Sequence, residues 1–440
     1  MDLTGKQIAI LGAGTSGFAA SQLARTRGAQ SVCVYDSGEP DKLESRKSIF
    51  AEIGVETVFG PEALNPPSNL DLTVISPGID AGWEIGQAFC QTGAPLIGEV
   101  EFAWQCRGNV PVIAITGTNG KTTTTELTAD ILKGAGVRTV AAGNVGTAFC
   151  EVVLSGREYD VITVEVSSFQ LETIDTFRPS VAVWMNFAPD HMDRYSTVED
   201  YRNAKLRIFE NQQPDDFAVI KAGETIAAEA QSITFSAFGD EADFSLDQGV
   251  ICSNGEAVLD YRKTRLNGKH NAENVMAAMA ATHSHGLEFN AMVETICGFQ
   301  APPHRCEVVC EVSSVTYVND SKATNLHALE SSLRGQEEPV VLIVGGKDKG
   351  LDYSELSGLI PDAVTKVICI GEMATRIAEA WHGRADCKIA DSLESAVALA
   401  ASSAKPGQVV LFSPGTSSFD MFSGYEERGE VFRKAVYDLK

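Results

Sequence analysis

No stretch of 18 or more apolar residues interrupts the chain, so no membrane-spanning helix and no membrane insertion are expected. Nothing resembling a secretory leader is visible either. Met1-Asp-Leu-Thr-Gly-Lys6 leads directly into a strand pattern, and a cytoplasmic setting is the expectation. Cys-x-x-Cys is missing. The ten cysteines are scattered, with Cys306 and Cys310 the nearest pair, which argues against structural zinc and a disulfide framework and for reduced thiols. Positive charge is scarce: 35 Lys and Arg stand against 59 Asp and Glu, a net charge of −24, which disfavours nucleic acid as a partner. Any phosphate site must therefore come from local backbone dipoles and a few lysines. Low-complexity segments and short repeats are lacking too. The 440 residues, 44% of them hydrophobic, suffice for about three domains with cores of their own.

One stretch organises what is present, Val112-Ile-Ala-Ile-Thr-Gly-Thr-Asn-Gly-Lys-Thr-Thr-Thr-Thr125. Val112 to Ile115 reads as a buried strand and Thr116 to Lys121 as a phosphate loop. From Thr122 a helix is expected, with Leu127, Ile131 and Leu132 on one face. A strand, a glycine turn and a helix N-terminus aim several N–H groups and the positive end of the helix dipole at one point. Lys121 can reach the outer phosphates of a nucleotide, and the Thr122 hydroxyl can ligate Mg²⁺. The first glycine of the usual eight-residue phosphate-loop pattern is replaced by Ile115, while Gly120, Lys121 and Thr122 remain.

Upstream, Gln7–Leu11 and Ser31–Asp36 read as strands around Gly12-Ala-Gly-Thr-Ser-Gly17, a β–α–β unit with an acid closing its second strand. Alone this predicts NAD and an oxidoreductase. The glycines report only a turn that receives a pyrophosphate, however, and a UDP-linked substrate carries one as well, with a ribose for Asp36. The strand Asp71–Gly78 ends in a turn that could close the same crevice.

Past Ile97-Gly98-Glu99 a short helix, Val100 to Gln105, leads to the central domain. There Val137–Ala142, Val161–Glu165 and Val181–Met185 are strands ending in Gly143-Asn-Val-Gly146, Val166-Ser-Ser-Phe-Gln-Leu-Glu172 and Asn186-Phe-Ala-Pro-Asp190-His191-Met-Asp193. Ligands bind beyond C-terminal strand ends in open α/β sheets. Glu165 is placed to ligate Mg²⁺, and Asp190, His191 and Asp193 to serve a second metal or the substrate. Ser196-Thr-Val-Glu199 reads as a capping box opening a helix through Asn211. Lys205 shares that helix's apolar face with Tyr201, Ile208 and Phe209. Pattern alone favours a snorkelling lysine, the alternative being a desolvated amine. Asn271 reads as an N-cap before an Ala/Met-rich helix from Ala272, with Asn274 free to meet a nucleotide ring.

Ala301-Pro-Pro-His-Arg305 is a rigid connector. Arg305 could reach a phosphate from it. Strands Ser314–Val318, Val340–Val344, Lys366–Ile370 and Gln408–Ser413 follow, each with a polar end. The fold class is α/β in three domains: a Rossmann-like domain over residues 1–98, a phosphate-loop ATPase-like domain over 99–302 and a second Rossmann-like domain over 303–440.

Taken in order, Gly117-Thr-Asn-Gly-Lys-Thr122, Gly143-Asn-Val-Gly146, Glu165-Val-Ser-Ser-Phe-Gln-Leu-Glu172, Asp190-His-Met-Asp-Arg-Tyr195, Tyr201–Glu210, His270-Asn271, Pro303-His-Arg305 and Asn319-Asp-Ser-Lys-Ala-Thr-Asn325 resemble the Mur ligase family of peptidoglycan synthesis. The resemblance covers essentially the whole chain. Ser168-Phe-Gln-Leu171, His191–Tyr195 and Asp320–Asn325 point to D-glutamate addition. The Asp-Asn-Pro-Arg motif of diaminopimelate-adding relatives is absent.

The resemblance implies an ATP-dependent ligase. ATP phosphorylates the carboxylate of UDP-N-acetylmuramoyl-L-alanine, and the amine of D-glutamate attacks the acyl phosphate. It implies two Mg²⁺ ions held by Thr122, Glu165, His191 and Lys205, the last as a carbamate formed from CO₂. Lys121, Glu165, His191 and Lys205 would be catalytic. Gly117, Thr118, Asn119, Gly120, Lys121, Thr122, Thr123, Asn271, Arg305 and Asp320 would bind the nucleotide. Thr15, Ser16, Asp36, Ser37, Ser76, Gly78, Asn144 and His191 would hold the UDP-substrate. Lys322, Thr324, Lys349, Ser418 and Phe419 would bind D-glutamate, with Lys347 competing with Lys349 for the carboxylate. Gly38 stands where some relatives carry an arginine near uracil, which leaves the contacts of Ser37 and Gly38 open. A monomer is expected. The alternatives are another amino-acid-adding Mur ligase, folylpolyglutamate synthetase, or a regulatory nucleotide-binding protein without turnover.

Overall fold

The computed structural model describes residues 1–440 except Asp193, Pro302 and Glu337. Asp193, read above as a metal or substrate group, and Pro302 of the connector and domain boundary therefore lie outside the described residues. The chain forms two compact units. The first comprises Met1–Phe187, Tyr195–Thr264 and Glu273–Phe299; the second Ala188–Arg194, Arg265–Ala272 and Gln300–Lys440.

The first unit holds two sheets. One contains β1 (Gln7–Leu11), β2 (Ser31–Asp36), β3 (Glu56–Phe59), β4 (Leu72–Ile75) and β5 (Leu96–Gly98), all parallel in the order β3-β2-β1-β4-β5. Ile8 to Leu11 and the whole of β4 are buried, the continuous apolar pattern of a sheet covered on both faces. Strand order reverses between β1 and β4, where open α/β sheets form their ligand crevice. Gly12 and Gly17 are required there by space. A Cβ on Gly17 would lie 1.9 Å from the Gly12 carbonyl oxygen, so only glycine lets the helix Thr15–Thr26 start against the turn.

The second sheet runs through β6 (Val112–Thr116), β7 (Ala141–Gly143), β8 (Ile162–Glu165), β9 (Val181–Trp184), β10 (Phe217–Lys221), β11 (Gln231–Ser236), β12 (Phe244–Asp247), β13 (Val250–Ser253) and β14 (Glu256–Asp260). Its order is β14-β13-β12-β11-β10-β9-β6-β8-β7, parallel up to β12 and antiparallel between β12, β13 and β14. The strand expected over 137–142 is reduced to β7. The Arg138 N–H is taken by the Asp160 carboxylate at 2.9 Å, and its guanidinium by Asp160 and Glu158, which removes a ladder donor.

The connecting helix Glu99–Cys106 carries two buried carboxylates, Glu99, which accepts from Cys150 N–H, and Glu101. Glu101 is fully buried and accepts from the N–H groups of Asp175, Thr176 and Phe177 at 2.9–3.0 Å, as well as from the Thr176 hydroxyl and Gln105. Glu101→Ala removes the acceptor of three backbone N–H groups, of which that of Phe177 is buried. It is expected to lower the unfolding free energy by roughly 3 kcal/mol, read as a shifted midpoint in urea.

The second unit holds β15 (Glu307–Val312), β16 (Val315–Asn319), β17 (Val340–Gly345), β18 (Val364–Ile370), β19 (Cys387–Ile389) and β20 (Val409–Phe412), in the order β15-β16-β20-β17-β18-β19. All pairs are parallel except the β15–β16 hairpin. That hairpin was hidden in the sequence because Ser313 and Ser314 turn it, both at positive φ (51° and 59°), where Asn-Gly would be the usual signal. Separate apolar clusters cover the two sheet faces, one around Leu329, Leu333 and Trp381 and the other around Leu393, Val397 and Phe432, as in a doubly wound domain. All ten cysteines are free thiols. No described helix is long and apolar enough to cross a membrane.

Candidate active site

β6 ends at Thr116 and the helix Lys121–Gly134 begins one residue earlier than the sequence suggested. Between them Gly117 and Gly120 take φ of +147° and +85°. A Cβ would lie 2.8 Å from Met185 Cβ at the first and 2.4 Å from Asn274 Oδ1 at the second, so both positions need glycine. The loop is also tied to the end of β9 by a residue the sequence reading passed over. The Asn186 carbonyl accepts from Thr118 N–H (3.0 Å), its Oδ1 accepts from Asn119 N–H (2.9 Å), and its Nδ2 donates back to the Asn119 carbonyl (3.0 Å). Only its strand-end position could have flagged it.

Two lysines converge on this loop. Lys121 Nζ donates to the carbonyls of Gly117 and Thr118, each at 2.9 Å. Lys205 Nζ donates to the same Gly117 carbonyl at 2.8 Å and lies 4.7 Å from the Tyr201 ring centre. Lys205 is only 2% exposed, so it is not the snorkelling lysine that its helical pattern favoured. Its helix also differs from expectation. Thr197 and Asp200, not Ser196 and Glu199, form the capping box, and the α-helix stops at Leu206, with a 3-10 turn over Arg207–Phe209. Aspartate in place of the usual Glu or Gln concealed the box.

Glu165 closes β8 and is 2% exposed. Its Oε1 accepts from Asn144 Nδ2 at 2.9 Å, while its Oε2 is buried without a hydrogen-bond partner. Gly143 (φ +110°) permits this approach, since a Cβ there would lie 2.2 Å from the Glu165 carbonyl oxygen. A buried orphan carboxylate oxygen fits a cation ligand. The buried Thr122 hydroxyl supplies a second oxygen, with Thr123 buried beside it. The described residues contain no cluster of three or more His, Cys, Asp and Glu. One carboxylate, one hydroxyl and phosphate oxygens suit Mg²⁺, which keeps waters and leans on its nucleotide.

On the first sheet, a cavity of ≈ 550 Å³ is lined by the turn Gly12 to Ser16, by Asp36, Ser37 and Gly38, by Ser76 to Ile79, and by Trp83, Ile85, Gly143, Asn144 and Gln170. It thus gathers Thr15, Ser16, Asp36, Ser37, Ser76, Gly78 and Asn144, all singled out by sequence, and adds Trp83 and Gln170. Asp36 accepts from Ala13 N–H through Oδ2 and from Gly38 N–H through Oδ1, both at 2.9 Å, which binds the two sides of the turn together.

In the second unit, Asp190 is 8% exposed and receives Asn325 Nδ2 at 2.9 Å, with Lys349 Nζ at 3.5 Å and His191 Nε2 at 3.8 Å. Burial works against its ionisation, but His191, Lys349 and the hydrogen bonds outweigh it and hold the carboxyl below the usual value. His191 itself sits at φ +56°. Lys347 is exposed, whereas Lys349 is drawn in by Asp190. Lys322 Nζ lies 3.7 Å from the Tyr425 ring centre, Thr324 is half-buried, Ser418 is buried and Phe419 is 65% exposed. The loops carrying Lys322 and Ser418 are held together by Arg428, 1% exposed, which donates to the Ser321 hydroxyl and carbonyl and to the Thr416 carbonyl. Nothing in the sequence marked it. Asn271 is not an N-cap: its helix spans Lys269–Ser284, and its Nδ2 donates to the Asn267 carbonyl at 2.9 Å. Asn274 receives the Thr124 hydroxyl at 3.4 Å. Arg305 is half-buried between His304 and Cys306, both at positive φ.

Asp320 is 6% exposed and accepts from the Ser332 and Ser413 hydroxyls and from Cys306 N–H. Burial nevertheless raises its carboxyl from 3.8 to about 6. The folded chain then holds more protons than the unfolded chain between those values, so this group makes folding weaken as pH rises through that window. Asp320→Asn is expected to flatten that part of the stability curve, measured by urea unfolding at stepped pH.

Comparison with known proteins places the chain in a family. The family description "Mur ligase middle domain" matches residues 115–282, and "Mur ligase, glutamate ligase domain" matches residues 304–415. The UDP-N-acetylmuramoylalanine–D-glutamate ligase of Pelotomaculum thermopropionicum is 40% identical over 456 residues, spanning 100% of this chain and 99% of the relative. That of Geobacter metallireducens is 39% identical over 449 residues, with coverage of 100% and 99%. The MurF ligase of Thermotoga maritima, solved in complex with ADP, superposes with a TM-score of 0.63 at 16% identity, covering 100% of this chain and 96% of its own. The UDP-N-acetylmuramate–alanine ligase of the same organism gives 0.60 at 16% identity, with coverage of 99% and 100%. At such identity the two structures speak to the fold alone.

Proposed function

The chain belongs to the Mur ligase family of ATP-dependent, amide-bond-forming enzymes of peptidoglycan synthesis, and from that premise we propose how its site works and what it joins. It adds D-glutamate to UDP-N-acetylmuramoyl-L-alanine. The observation that carries the reading is the convergence of Lys121 and Lys205 on the Gly117 carbonyl of a phosphate loop whose neighbouring strand ends in Glu165, with one buried oxygen unpartnered.

The roles follow from the chemistry. Lys121 leaves the loop carbonyls for the β- and γ-phosphates of ATP, where its charge stabilises the transferring phosphoryl group. Gly117 to Thr123 cradle those phosphates, and Asn271, Arg305 and Asp320 complete the nucleotide site. Mg²⁺, two ions by the family pattern, supplies charge neutralisation on the phosphoryl oxygens when bound. Thr122, Glu165, His191 and the carbamate of Lys205 would hold it. Carbamylation takes the Lys205 ammonium to the amine with loss of one proton, and the amine then joins CO₂ with loss of a second. It turns the repulsion between two ammonium groups on one carbonyl into attraction. The substrate carboxylate takes the γ-phosphoryl group as ADP leaves, the D-glutamate amine attacks the acyl phosphate carbon, and phosphate leaves with the bonding pair while the nitrogen gives up a proton. Asn144 and His191 steady the muramoyl end, while Thr15, Ser16, Asp36, Ser37, Ser76 and Gly78 hold the uridine end. Lys322, Thr324, Lys349, Ser418 and Phe419 take D-glutamate, with Lys349 rather than the exposed Lys347 at its carboxylate.

In this reading residues 1–98 bind the uridine nucleotide, 99–302 ATP and 303–440 the amino acid, in a cytoplasmic monomer. The cavity around Asp36 disfavours folylpolyglutamate synthesis, which needs no uridine site, and Lys121 is idle in an oxidoreductase. With the substrate carboxylate labelled by ¹⁸O, one label is expected in the released phosphate. Phosphate free of label would exclude the acyl phosphate.

A further inference from the structure

The cavity on the first sheet is lined mostly by small and polar residues, with Pro77, Ile79 and Ile85 among them, and Trp83 is the single aromatic in its lining. Its indole is 57% exposed. The other three tryptophans are used by the fold: Trp184 and Trp381 are fully buried, and Trp104 packs edge-on against Phe177 under the Arg107 guanidinium. Trp83 has no such ring or cation partner among the described residues. Its backbone is firmly placed all the same. The Gly82 N–H donates to Asp80 Oδ1 at 2.7 Å, the Trp83 N–H donates to the Asp80 carbonyl at 3.0 Å, and Gln87 returns a side-chain bond to the Gly82 carbonyl at 2.8 Å. Trp83 then caps the helix Glu84–Cys90. A large aromatic side chain is thus held in the lining of this cavity with more than half of its surface exposed. Ser37 and Gly38, also in the lining, offer no bulk to grip a flat ring.

We propose that Trp83 is the platform on which the uracil ring of the UDP-linked substrate stacks, and so a determinant of affinity for the nucleotide. The proposal rests on the reading of this cavity as the uridine site. A pyrimidine needs a flat apolar face as well as polar edges, and the indole is the one such face here. Stacking would cover the ring and restore to it the contact that its exposure lacks.

The test uses the full chain, with ADP at saturation to occupy the phosphate loop, and titrates UDP calorimetrically into wild type, Trp83→Ala and Trp83→Phe. On the order of tenfold weaker binding is expected for Trp83→Ala, with most of the affinity kept in Trp83→Phe. Bound UDP should also shield wild-type emission from acrylamide, because Trp83 is the most exposed of the four indoles. Equal UDP affinity in wild type and Trp83→Ala, with no shielding, overturns the platform while leaving the uridine site standing. Weakened binding of N-acetylglucosamine 1-phosphate, with UDP unaffected, puts the sugar on the indole and overturns the uracil assignment. Failure of wild type to bind UDP removes both readings.

Discussion

Lys205→Ala is expected to lower turnover by roughly 10³-fold, the scale of losing a preorganised charge at a phosphoryl-transfer site. Lys205 Nζ lies 2.8 Å from the Gly117 carbonyl and the residue is almost wholly buried. A structural role alone would also reduce activity, and three further observations separate the two. Short carboxylic acids should restore part of the turnover to Lys205→Ala, because a carboxylate placed where the carbamate stood supplies the same oxygens. Lys205→Arg should stay inactive, since a guanidinium cannot be carbamylated. ¹³CO₂ should give a carbamate carbon signal in wild type that is missing in both variants. Full activity of Lys205→Ala would remove the residue from the mechanism.

Glu165→Gln is expected to cost about 10²- to 10³-fold in kcat at a fixed magnesium concentration. The substitution is nearly isosteric. The amide oxygen can still accept from Asn144, so the loss falls on the orphaned Oε2. A charge removed from a cation site should also raise the Mg²⁺ concentration needed for half-maximal activity. It should weaken Mn²⁺ binding to the ATP complex, followed by water proton relaxation without turnover. Unchanged Mn²⁺ affinity would make Glu165 a structural anchor for Asn144 and nothing more.

The legible parts of the molecule were those where one residue type meets one physical need. Gly12, Gly17, Gly117 and Gly120 sit where a Cβ would strike backbone or a neighbouring side chain, and buried parallel strands such as β1, β4 and β6 are continuous apolar runs. Motif order then carried the family resemblance, and the structure gathered Thr15, Asp36, Ser76 and Asn144 around one cavity. What escaped depends on tertiary partners. Periodicity put Lys205 on its helix's apolar face but favoured a snorkelling lysine, because it cannot see Gly117, 88 residues away. Asn186 and Arg428 hold loops through bonds to backbone, which leave no local pattern. The β15–β16 hairpin turns through two serines, and the Thr197 box uses aspartate where glutamate is usual. Trp83 went unnoticed because a lone exposed tryptophan has no spacing to betray it.

The central claim is that this site makes one amide bond with one amino acid. ATP-dependent phosphate release, measured with UDP-N-acetylmuramoyl-L-alanine, Mg²⁺ and each candidate amino acid in turn, tests it most directly. Release with D-glutamate, and not with L-glutamate, L-alanine, L-lysine or diaminopimelate, is the predicted result. Release with a different amino acid would preserve the phosphoryl chemistry but contradict the roles given to Lys322, Thr324, Lys349 and Ser418, and silence with all of them would contradict the account as a whole.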